Sequence, residues 1–327
     1  MPMPQVSVVM PAYNGERFIA AAIESVLQQT YPDWELLIVN DGSTDRTLAV
    51  IAPYLESQSD RIRLINQSNQ GVAAARNQGL AQATGQWVAF LDQDDVLLPN
   101  KLTLQVQCFE QNPELSMVHS GWRLVNADGK PLADVEPWHD APNLHAVDWI
   151  RRMPVLFSAM LFRRSAVLQI HGLDPQYKQV CDVDLVQRLV LAGCQSQWVR
   201  QVTTLYRQHD RNDSLNTLVQ AEECWAVREQ FFARSDIPPE LRKVERESRY
   251  YTLVWIAWRL YITGHRNPMV QHLQKALSYS PFLKTETILH WISSFKQYSS
   301  DYGYPTDTAA LTNSPEWQNL MGYVLAS

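Results

Sequence analysis

Residues 6–15 read VSVVMPAYNG, an apolar run that ends in a polar turn. Such a short apolar run predicts a buried strand. The alternation of strand and helix that begins here continues over the first hundred residues. Further strands are predicted at Leu36–Val39, Ile62–Ile65 and Trp87–Leu91, and helices at Glu16–Gln29, Thr47–Leu55 and Val72–Ala83. This order predicts right-handed βαβ units and a mostly parallel α/β sheet with flanking helices.

The pattern stays mixed up to residue 206 and turns helical beyond Asp210. The later elements of the mixed part are predicted as helices at Lys101–Gln111 and Asp182–Ala192, strands at Leu115–Ser120, Trp122–Asn126, Ala159–Phe162 and Gln197–Tyr206, and a loop at Asp134–Asn143. Beyond them, the three- and four-residue apolar spacing of amphipathic helices recurs in Glu222–Ala233, Leu241–Thr263 and Asn267–Tyr279. We therefore predict an α/β domain over residues 1–215 and a helical C-terminal region over residues 216–327.

The composition limits the class of protein. The 327 residues are 46% apolar and carry a formal charge of −6, which fits one large domain with a smaller appendage. Basic residues are scattered among acidic ones, which argues against a nucleic-acid partner. The first residues lack the features of a secretory signal, and the four cysteines have no metal-ligand spacing. We therefore expect reduced thiols and a cytoplasmic protein.

Two features of the C-terminal third bear on membranes. The longest apolar stretch there, Thr252–Thr263, is interrupted by Arg259 and is too short to span a bilayer. No transmembrane segment is therefore expected. The basic side chains of residues 242–249 alternate with acidic ones, which predicts a solvated helix face. The alternative is a basic and aromatic helix that rests peripherally on a membrane surface.

Acidic residues follow the fourth predicted strand directly. Asp92, Asp94 and Asp95 stand within one four-residue turn, and ligands of open α/β sheets bind beyond the carboxyl ends of strands. Carboxylates placed so closely repel one another unless a cation lies between them or water screens them. Mg²⁺ and Mn²⁺ prefer such oxygen ligands and share them with substrate phosphates. The alternative is a solvated acidic turn that caps the following helix.

The first two strand ends carry other signals. The first strand is followed by neither G-x-G-x-x-G nor G-x-x-x-x-G-K, which argues against dehydrogenases and P-loop kinases. Asp41 ends the second strand and precedes a Gly-Ser-Thr-Asp turn. An ordinary helix cap is the alternative interpretation of that turn.

Four segments, in order, resemble the signatures of glycosyltransferase family 2. They are VVMPAYN at residues 8–14, VNDGSTD at residues 39–45, NQGVAAARN at residues 69–77 and FLDQDD at residues 90–95. The resemblance continues more weakly to about residue 215. It implies a GT-A fold, a nucleotide-diphosphate sugar donor, a divalent cation (Mn²⁺ or Mg²⁺) and transfer with inversion.

The resemblance also assigns roles to residues near the strand ends. Asp41 would accept from the nucleotide base, Arg76 would lie near the base or diphosphate, and Asp92 near the ribose. The complete donor-binding set that it implies is Pro11, Ala12, Tyr13, Asn14, Asp41, Arg76, Asp92 and Gln93. The metal would be held by Asp94, Asp95 and His209, although His209 has an alternative role as a phosphate contact or as an ordinary packing residue.

The family's catalytic base is an Asp in a Glu-Asp segment just before a helix, which points to Asp182. A carboxylate in the first turn of a helix is favoured in its ionised form by the helix dipole, as a base requires. Asp184 is the rival, and a simple helix cap is the alternative role for Asp182. Cys181 stands where the family usually has Glu, so contacts around the base are expected to differ.

The resemblance favours a UDP-sugar donor and a glycan or lipid-linked acceptor. The chain lacks the Gln-x-x-Arg-Trp element of processive synthases, which favours transfer of single sugars. Two rival functions stay open, a non-catalytic nucleotide-sugar binding protein and a nucleotidyltransferase. If the acceptor is lipid-linked, we expect a cytoplasmic protein that contacts the inner membrane face peripherally.

Overall fold

The computed structural model describes residues 4–305 and 307–326, which divide into two compact units. Unit 1 comprises the described residues up to Ala146 together with Pro154–Gln208. Unit 2 comprises Val147–Met153 and the described residues from His209 onward. The domain boundary placed after residue 215 by the sequence stays a prediction.

Unit 1 is built on a mixed sheet. Its strands are β1 Val6–Ala12, β2 Trp34–Asp41, β3 Ile62–Gln67, β4 Trp87–Phe90, β5 Val96–Leu97, β6 Leu115–Val125, β7 Pro131–Val135, β8 Met160–Arg163 and β9 Gln195–Arg207. Their order is β3-β2-β1-β4-β8-β6-β9-β5, and β7 pairs with β6. The first four strands are parallel, as predicted. The sheet becomes mixed because β8 runs antiparallel to both β4 and β6.

Helices flank this sheet and make up most of unit 2. In chain order they are α1 Ile19–Leu27, α2 Thr47–Ser57, α3 Val72–Gln82, α4 Lys101–Gln111, α5 Ala146–Arg152, α6 Arg164–Gln169, α7 Cys181–Leu191, α8 Thr217–Ala233, α9 Pro239–Arg242, α10 Glu245–Ile262, α11 Arg266–Leu277, α12 Lys284–Asp301, α13 Thr308–Thr312 and α14 Pro315–Ala326. The fold class predicted from the sequence, an α/β sheet with flanking helices and a helical C-terminal extension, is confirmed.

The segment after α4 differs from the prediction. Two strands were predicted on either side of Gly121, but β6 runs through this glycine with a shift in its register against β9. A Cβ at Gly121 would lie 2.8 Å from the Trp138 ring, so the glycine lets that ring pack against the strand. The loop predicted at Asp134–Asn143 contains the end of β7 and a short 3₁₀ helix at Pro137–His139. Arg123 holds Asp134 there at 2.6 Å, a long-range pair that local sequence does not reveal.

Helix boundaries also differ. The predicted helix Leu241–Thr263 is two helices, α9 and α10, and α8 begins five residues before the predicted Glu222. The first helix begins at Ile19 rather than Glu16, and the Glu16 side chain accepts a hydrogen bond from the Arg46 amide at 2.9 Å in the preceding turn. Helices α12 to α14 were not predicted.

Unit 2 has an aromatic core of its own. Trp258 of α10 is fully buried, and its indole donates to Ser299 Oγ at 3.0 Å. Trp255 and Tyr261 of the same helix are partly buried and pack against this core. On the same helix Arg249 pairs with Glu245 at 2.9 Å, which satisfies part of the basic face. In the described part of the chain, no helix combines the length and the apolar character needed to cross a bilayer.

Glu35 accepts several hydrogen bonds at the end of the sheet where β1 and β2 begin. Its Oε1 accepts from Ser7 Oγ at 2.7 Å and from the Thr84 amide at 2.8 Å, and its Oε2 accepts from Arg63 at 2.7 Å. Burial opposes ionisation of Glu35, but these hydrogen bonds outweigh it and lower the pKa. Glu35 therefore acts as an ionised acceptor inside unit 1.

Glu35→Met is expected to lower the free energy of unfolding by about 1–3 kcal/mol, because the buried hydroxyl of Ser7 and the partly buried amide of Thr84 lose their acceptor. Urea unfolding measures this, with the exposed Glu56→Met as the control. Since the folded-state pKa of Glu35 is lowered, its stabilising contribution is present at neutral pH and is lost as the pH falls through that pKa. Equal stability of the two variants at pH 7 would contradict the role given to Glu35.

Candidate functional site

The loops that follow β1 and β2 are joined by hydrogen bonds. The Asn14 amide donates to Ser43 Oγ at 3.1 Å, and Asn14 Oδ1 accepts from the Thr44 amide at 2.8 Å. Asn14 holds a left-handed backbone with φ 49°, a conformation that Asn adopts more readily than most residues. Pro11 and Ala12 are buried in β1 just before this loop. The Asn14 side chain thus fixes the loop, and its predicted donor contact stays a prediction.

Asp41 lies at the end of β2 and organises the approach to α3. Its Oδ1 accepts from Gln67 Nε2 at 2.7 Å and from the Gln70 amide at 2.8 Å, and its Oδ2 accepts from the Gly71 amide at 2.8 Å. Asp41 is almost fully buried. The sequence did not indicate this loop-holding role. A contact with a nucleotide base would use the lone pairs that these three hydrogen bonds leave.

Gln93 joins the β1 loop to the acidic turn. Its Oε1 accepts from the Tyr13 amide at 3.0 Å, and its Nε2 donates to the Tyr13 carbonyl at 2.9 Å. A Cβ at Gly15 would lie 2.1 Å from Gln93 Oε1, so this close approach requires glycine there. The Tyr13 ring is 47% exposed and free to meet a ligand. Gln93 was predicted to contact the sugar donor, and this role stays a prediction. In the structure, both the oxygen and the nitrogen of its side-chain amide form hydrogen bonds with the Tyr13 backbone.

Gln93→Glu is expected to weaken binding of UDP with Mn²⁺ about ten-fold. A carboxylate cannot donate to the Tyr13 carbonyl, so the loop loses one of its two hydrogen bonds, and misplaced binding groups are costly. Calorimetric titration measures the affinity. Gln107→Glu makes the same change of charge on the exposed face of α4, and wild-type affinity is expected there. Unchanged affinity in Gln93→Glu would refute the loop-holding role.

Arg76 of α3 lies between the acidic turn and the start of α7. Its guanidinium donates to Asp92 Oδ1 at 2.5 Å and to Cys181 Sγ at 3.4 Å, and it sits 5.0 Å above the Phe157 ring centroid. Burial alone would lower the pKa of Arg76, but Asp92, Cys181 and Asp182 raise it above its usual value. Arg76 is therefore a buried permanent cation that connects β4 to α7.

Asp182 stands in the first turn of α7. Its Oδ1 accepts from the Val183 amide at 2.8 Å. Burial raises the pKa of Asp182 to about 6, with the Arg76 charge opposing and the Asp92 charge adding to the shift. A carboxylate of this kind is ionised at neutral pH and still basic enough to take a proton.

The neighbours of Asp182 have other roles. Asp184, the rival base, is paired with Arg188 at 2.6 Å. Cys181 is buried, and burial raises the pKa of its thiol to about 12. A neutral thiol thus meets Arg76 at the position where the resemblance leads one to expect a carboxylate.

The acidic turn contains one buried carboxyl group. Asp95 Oδ1 accepts from the Arg207 amide at 3.1 Å, while Oδ2 has no hydrogen-bond partner among the described residues. Burial, and then the charges of Asp94 and Asp92, raise the pKa of Asp95. Arg207 supports the turn by donating to the Asp94 carbonyl at 3.0 Å.

The residues of this turn fit a divalent cation. A buried carboxylate oxygen without a donor, next to a second carboxylate, is a ligand set that Mg²⁺ or Mn²⁺ satisfies together with water and substrate phosphates. Within residues 4–305 and 307–326, no three His, Cys, Asp or Glu side chains are gathered as metal ligands. The assignment of Asp94 and Asp95 as ligands of a cation stays a prediction, in which the donor phosphates and water would occupy the other positions.

His209 belongs to unit 2. Its amide donates to Asn212 Oδ1 at 2.5 Å, and its Nδ1 accepts from the Arg211 amide at 3.1 Å. These contacts hold the turn after β9. The role of His209 as a metal ligand stays a prediction.

Sequence reasoning missed two residues of the site. Ser158 Oγ accepts from the Asp92 amide at 3.2 Å, and Phe157 carries the Arg76 guanidinium. Both lie in a short 3₁₀ helix, Phe157–Ala159, which precedes β8. No motif marks this segment, since it meets the acidic turn only through the folded chain.

Comparisons with known proteins identify the family to which the chain is similar. The model of the family described as glycosyl transferase family 2 matches residues 7–168. The putative glycosyltransferase EpsE of Bacillus subtilis (strain 168) is 33% identical over 214 residues, 64% of this chain and 75% of that protein. The Escherichia coli protein WfgD, a UDP-Glc:α-D-GlcNAc-diphosphoundecaprenol β-1,3-glucosyltransferase, is 42% identical over 122 residues. The chain spans 47% of the length of WfgD.

Solved structures share the fold at low identity. TarS (residues 1–349) of S. aureus in complex with UDP superposes with a TM-score of 0.62 at 15% identity, over 99% of this chain and 92% of that one. A mannosyltransferase of Pyrobaculum calidifontis in complex with GDP-Man and Mn²⁺ gives 0.63 at 18% identity, over 99% and 85%. These likenesses establish a GT-A fold.

Proposed function

Because this chain belongs to glycosyltransferase family 2, we propose that it transfers a sugar from a UDP-sugar to a hydroxyl of a glycan or lipid-linked acceptor, with inversion. The observation that carries the proposal is the Arg76 bridge. This buried cation joins Asp92, in the acidic turn, to Cys181 in the first turn of α7, where Asp182 also stands. The contact supports the proposal that donor-holding and proton-accepting groups act at one site.

Asp182 is the proposed base. It would accept the proton of the acceptor hydroxyl as that oxygen forms a bond to the anomeric carbon and the bond to the diphosphate oxygen breaks. Attack on the face opposite the leaving group inverts the configuration. The raised pKa of Asp182, about 6, supports this role because the base must be ionised before attack and hold the proton after it.

The leaving diphosphate needs positive charge. Asp94 and Asp95 would hold Mn²⁺ or Mg²⁺, which when bound neutralises charge on the diphosphate. Arg76 adds a permanent charge at the neighbouring Asp92, and Asp92 would orient the ribose. Tyr13, held by Gln93, would cover the base. A single protein base then suffices for the reaction.

The finer assignments rest on relatives. The name of WfgD specifies a UDP-sugar donor and a lipid-linked acceptor. TarS was solved in complex with UDP, whereas the mannosyltransferase was solved in complex with GDP-Man. We therefore favour a UDP-sugar, and the lack of a Gln-x-x-Arg-Trp element in the sequence supports a non-processive transfer. A lipid-linked acceptor would place the cytoplasmic protein in peripheral contact with the inner membrane face.

The proposal is tested by measuring UDP release from a panel of UDP-sugars, with Mn²⁺ or EDTA and with glycan or lipid-linked acceptors. Acceptor-dependent release that EDTA abolishes is expected, and NMR of the product gives the anomeric configuration. Tight donor binding without turnover would instead favour a nucleotide-sugar binding protein, which the neutral Cys181 thiol at the Glu position makes the second candidate. Pyrophosphate release from a nucleoside triphosphate would favour a nucleotidyltransferase.

A further inference from the structure

The segment Pro154–Met160 is held by buried side chains from three distant elements, α4, β6 and β9. Four of its carbonyl groups accept hydrogen bonds from side chains that are fully buried. The bonds are His119 Nε2 to Pro154 O at 2.8 Å, Thr204 Oγ1 to Ser158 O at 3.0 Å, Gln105 Nε2 to Ala159 O at 2.8 Å, Ser120 Oγ to Ala159 O at 3.0 Å and Lys101 Nζ to Met160 O at 3.1 Å. These hydrogen bonds from α4, β6 and β9 fix the backbone path of the segment.

Two of these hydrogen-bond donors, His119 and Lys101, have titratable side chains. His119 Nδ1 accepts from the Ser120 amide at 2.9 Å, which leaves Nε2 to donate, and burial lowers the pKa of His119 to about 4. Lys101 donates to Gln105 Oε1 at 2.7 Å as well as to Met160 O. Burial lowers the pKa of Lys101 to about 7.

The position of Lys101 is energetically unfavourable for a charged amine. It is the first residue of α4, where the helix dipole disfavours a cation, and a fully buried amine loses its hydration. Local helix stability therefore does not account for a lysine here. Its hydrogen bonds to Gln105 and to the held segment are the compensating contacts.

The same segment also contacts two residues of the proposed site for the sugar donor, Asp92 and Arg76. Ser158 Oγ accepts from the Asp92 amide at 3.2 Å, and the Phe157 ring supports Arg76, the partner of Asp92. A shift of the segment would move both contacts together. Groups that hold the segment therefore act on Asp92 and Arg76 without touching a ligand.

We propose that Lys101 is a positioning residue for donor binding, acting through Gln105 and the Pro154–Met160 segment on Asp92 and Arg76. The inference rests on the proposed function, since it assigns donor binding to that site. It adds a residue that reaches the proposed donor site only through the segment and lies outside the signature motifs.

Lys101→Met tests this proposal, because it removes the amine that donates both hydrogen bonds and keeps a long, apolar side chain. Donor KM is expected to rise about ten-fold with kcat changed less than three-fold, since small displacements of binding groups are costly. The Kd for UDP with Mn²⁺ is expected to rise by the same factor. Thr204→Val, which removes the Ser158 carbonyl's donor, is expected to reproduce the effect if Lys101→Met does not fold.

The control is Val106→Ala, a fully buried change on the same helix that touches none of the hydrogen bonds to the segment. It is expected to lower Tm and leave donor KM and Kd at wild-type values. Wild-type KM and Kd in Lys101→Met and Thr204→Val would overturn the inference. If the wild-type protein itself bound no nucleotide, the proposed function would fail instead.

Discussion

Asp182→Asn is expected to lower kcat by about 10²–10⁴-fold, the usual contribution of a general base. Asparagine keeps the acceptor for the Val183 amide, so the first turn of α7 is expected to keep its structure. It cannot take a proton from the acceptor hydroxyl. Binding of UDP with Mn²⁺ is expected to stay within about three-fold of wild type, since Asp182 acts on the acceptor rather than on the nucleotide.

The pH profile separates this role from a structural one. Because burial raises the pKa of Asp182 to about 6, and the base must be ionised, wild-type activity is expected to rise with pH through about 6. The residual activity of Asp182→Asn is expected to lack that limb. Asp184→Asn is the matched variant, two residues along α7. If Asp184→Asn removed the limb and Asp182→Asn kept it, the assignment of the base would be wrong.

Asp94→Asn is expected to reduce kcat/KM by about 10³-fold, since it removes one carboxylate from a proposed pair that holds the cation. Metal ions contribute several kcal/mol to stabilising charge on a leaving group. UDP binding is expected to lose its dependence on Mn²⁺. Calorimetric titration of UDP with and without Mn²⁺ measures this directly, apart from turnover.

The control for Asp94→Asn is Asp60→Asn, the same change of charge at an exposed turn of unit 1. It is expected to keep wild-type kinetics and wild-type dependence on Mn²⁺. Retention of metal-dependent UDP binding in Asp94→Asn would show that the cation is held elsewhere, and would remove the acidic turn from the mechanism.

The first four strands of unit 1 were predictable because their signals are local. A short apolar run followed by Asp41 or Asp92 contains the strand, its end and the polar group in one stretch of sequence. Parallel pairing then brings such ends to one edge of the sheet. The first four strands and the four helices up to residue 111 therefore follow from periodicity and turn chemistry, with errors of a few residues at the ends, whereas the short strand β5 was not predicted.

Other parts of the site depend on contacts that no local pattern records. Arg76 and Cys181 are 105 residues apart, and Ser158 meets Asp92 only because β8 inserts antiparallel beside β4. The carbonyl contacts of Lys101 and His119 also join distant parts of the sequence, 59 and 35 residues apart. A lysine in the first turn of α4 is unfavourable on local grounds, but its burial appears only in the folded chain.

The hydrogen bonds between Gln93 and Tyr13 have a thermodynamic consequence for ligand capture. Together with the contacts of Asn14 and Asp41, they fix the loops around the proposed nucleotide pocket through hydrogen bonds within the protein itself. Ordering loops upon association costs conformational entropy, and rigid receptors avoid much of that penalty. A preorganised pocket of this kind leaves more of the intrinsic interaction free energy to appear as affinity for the nucleotide.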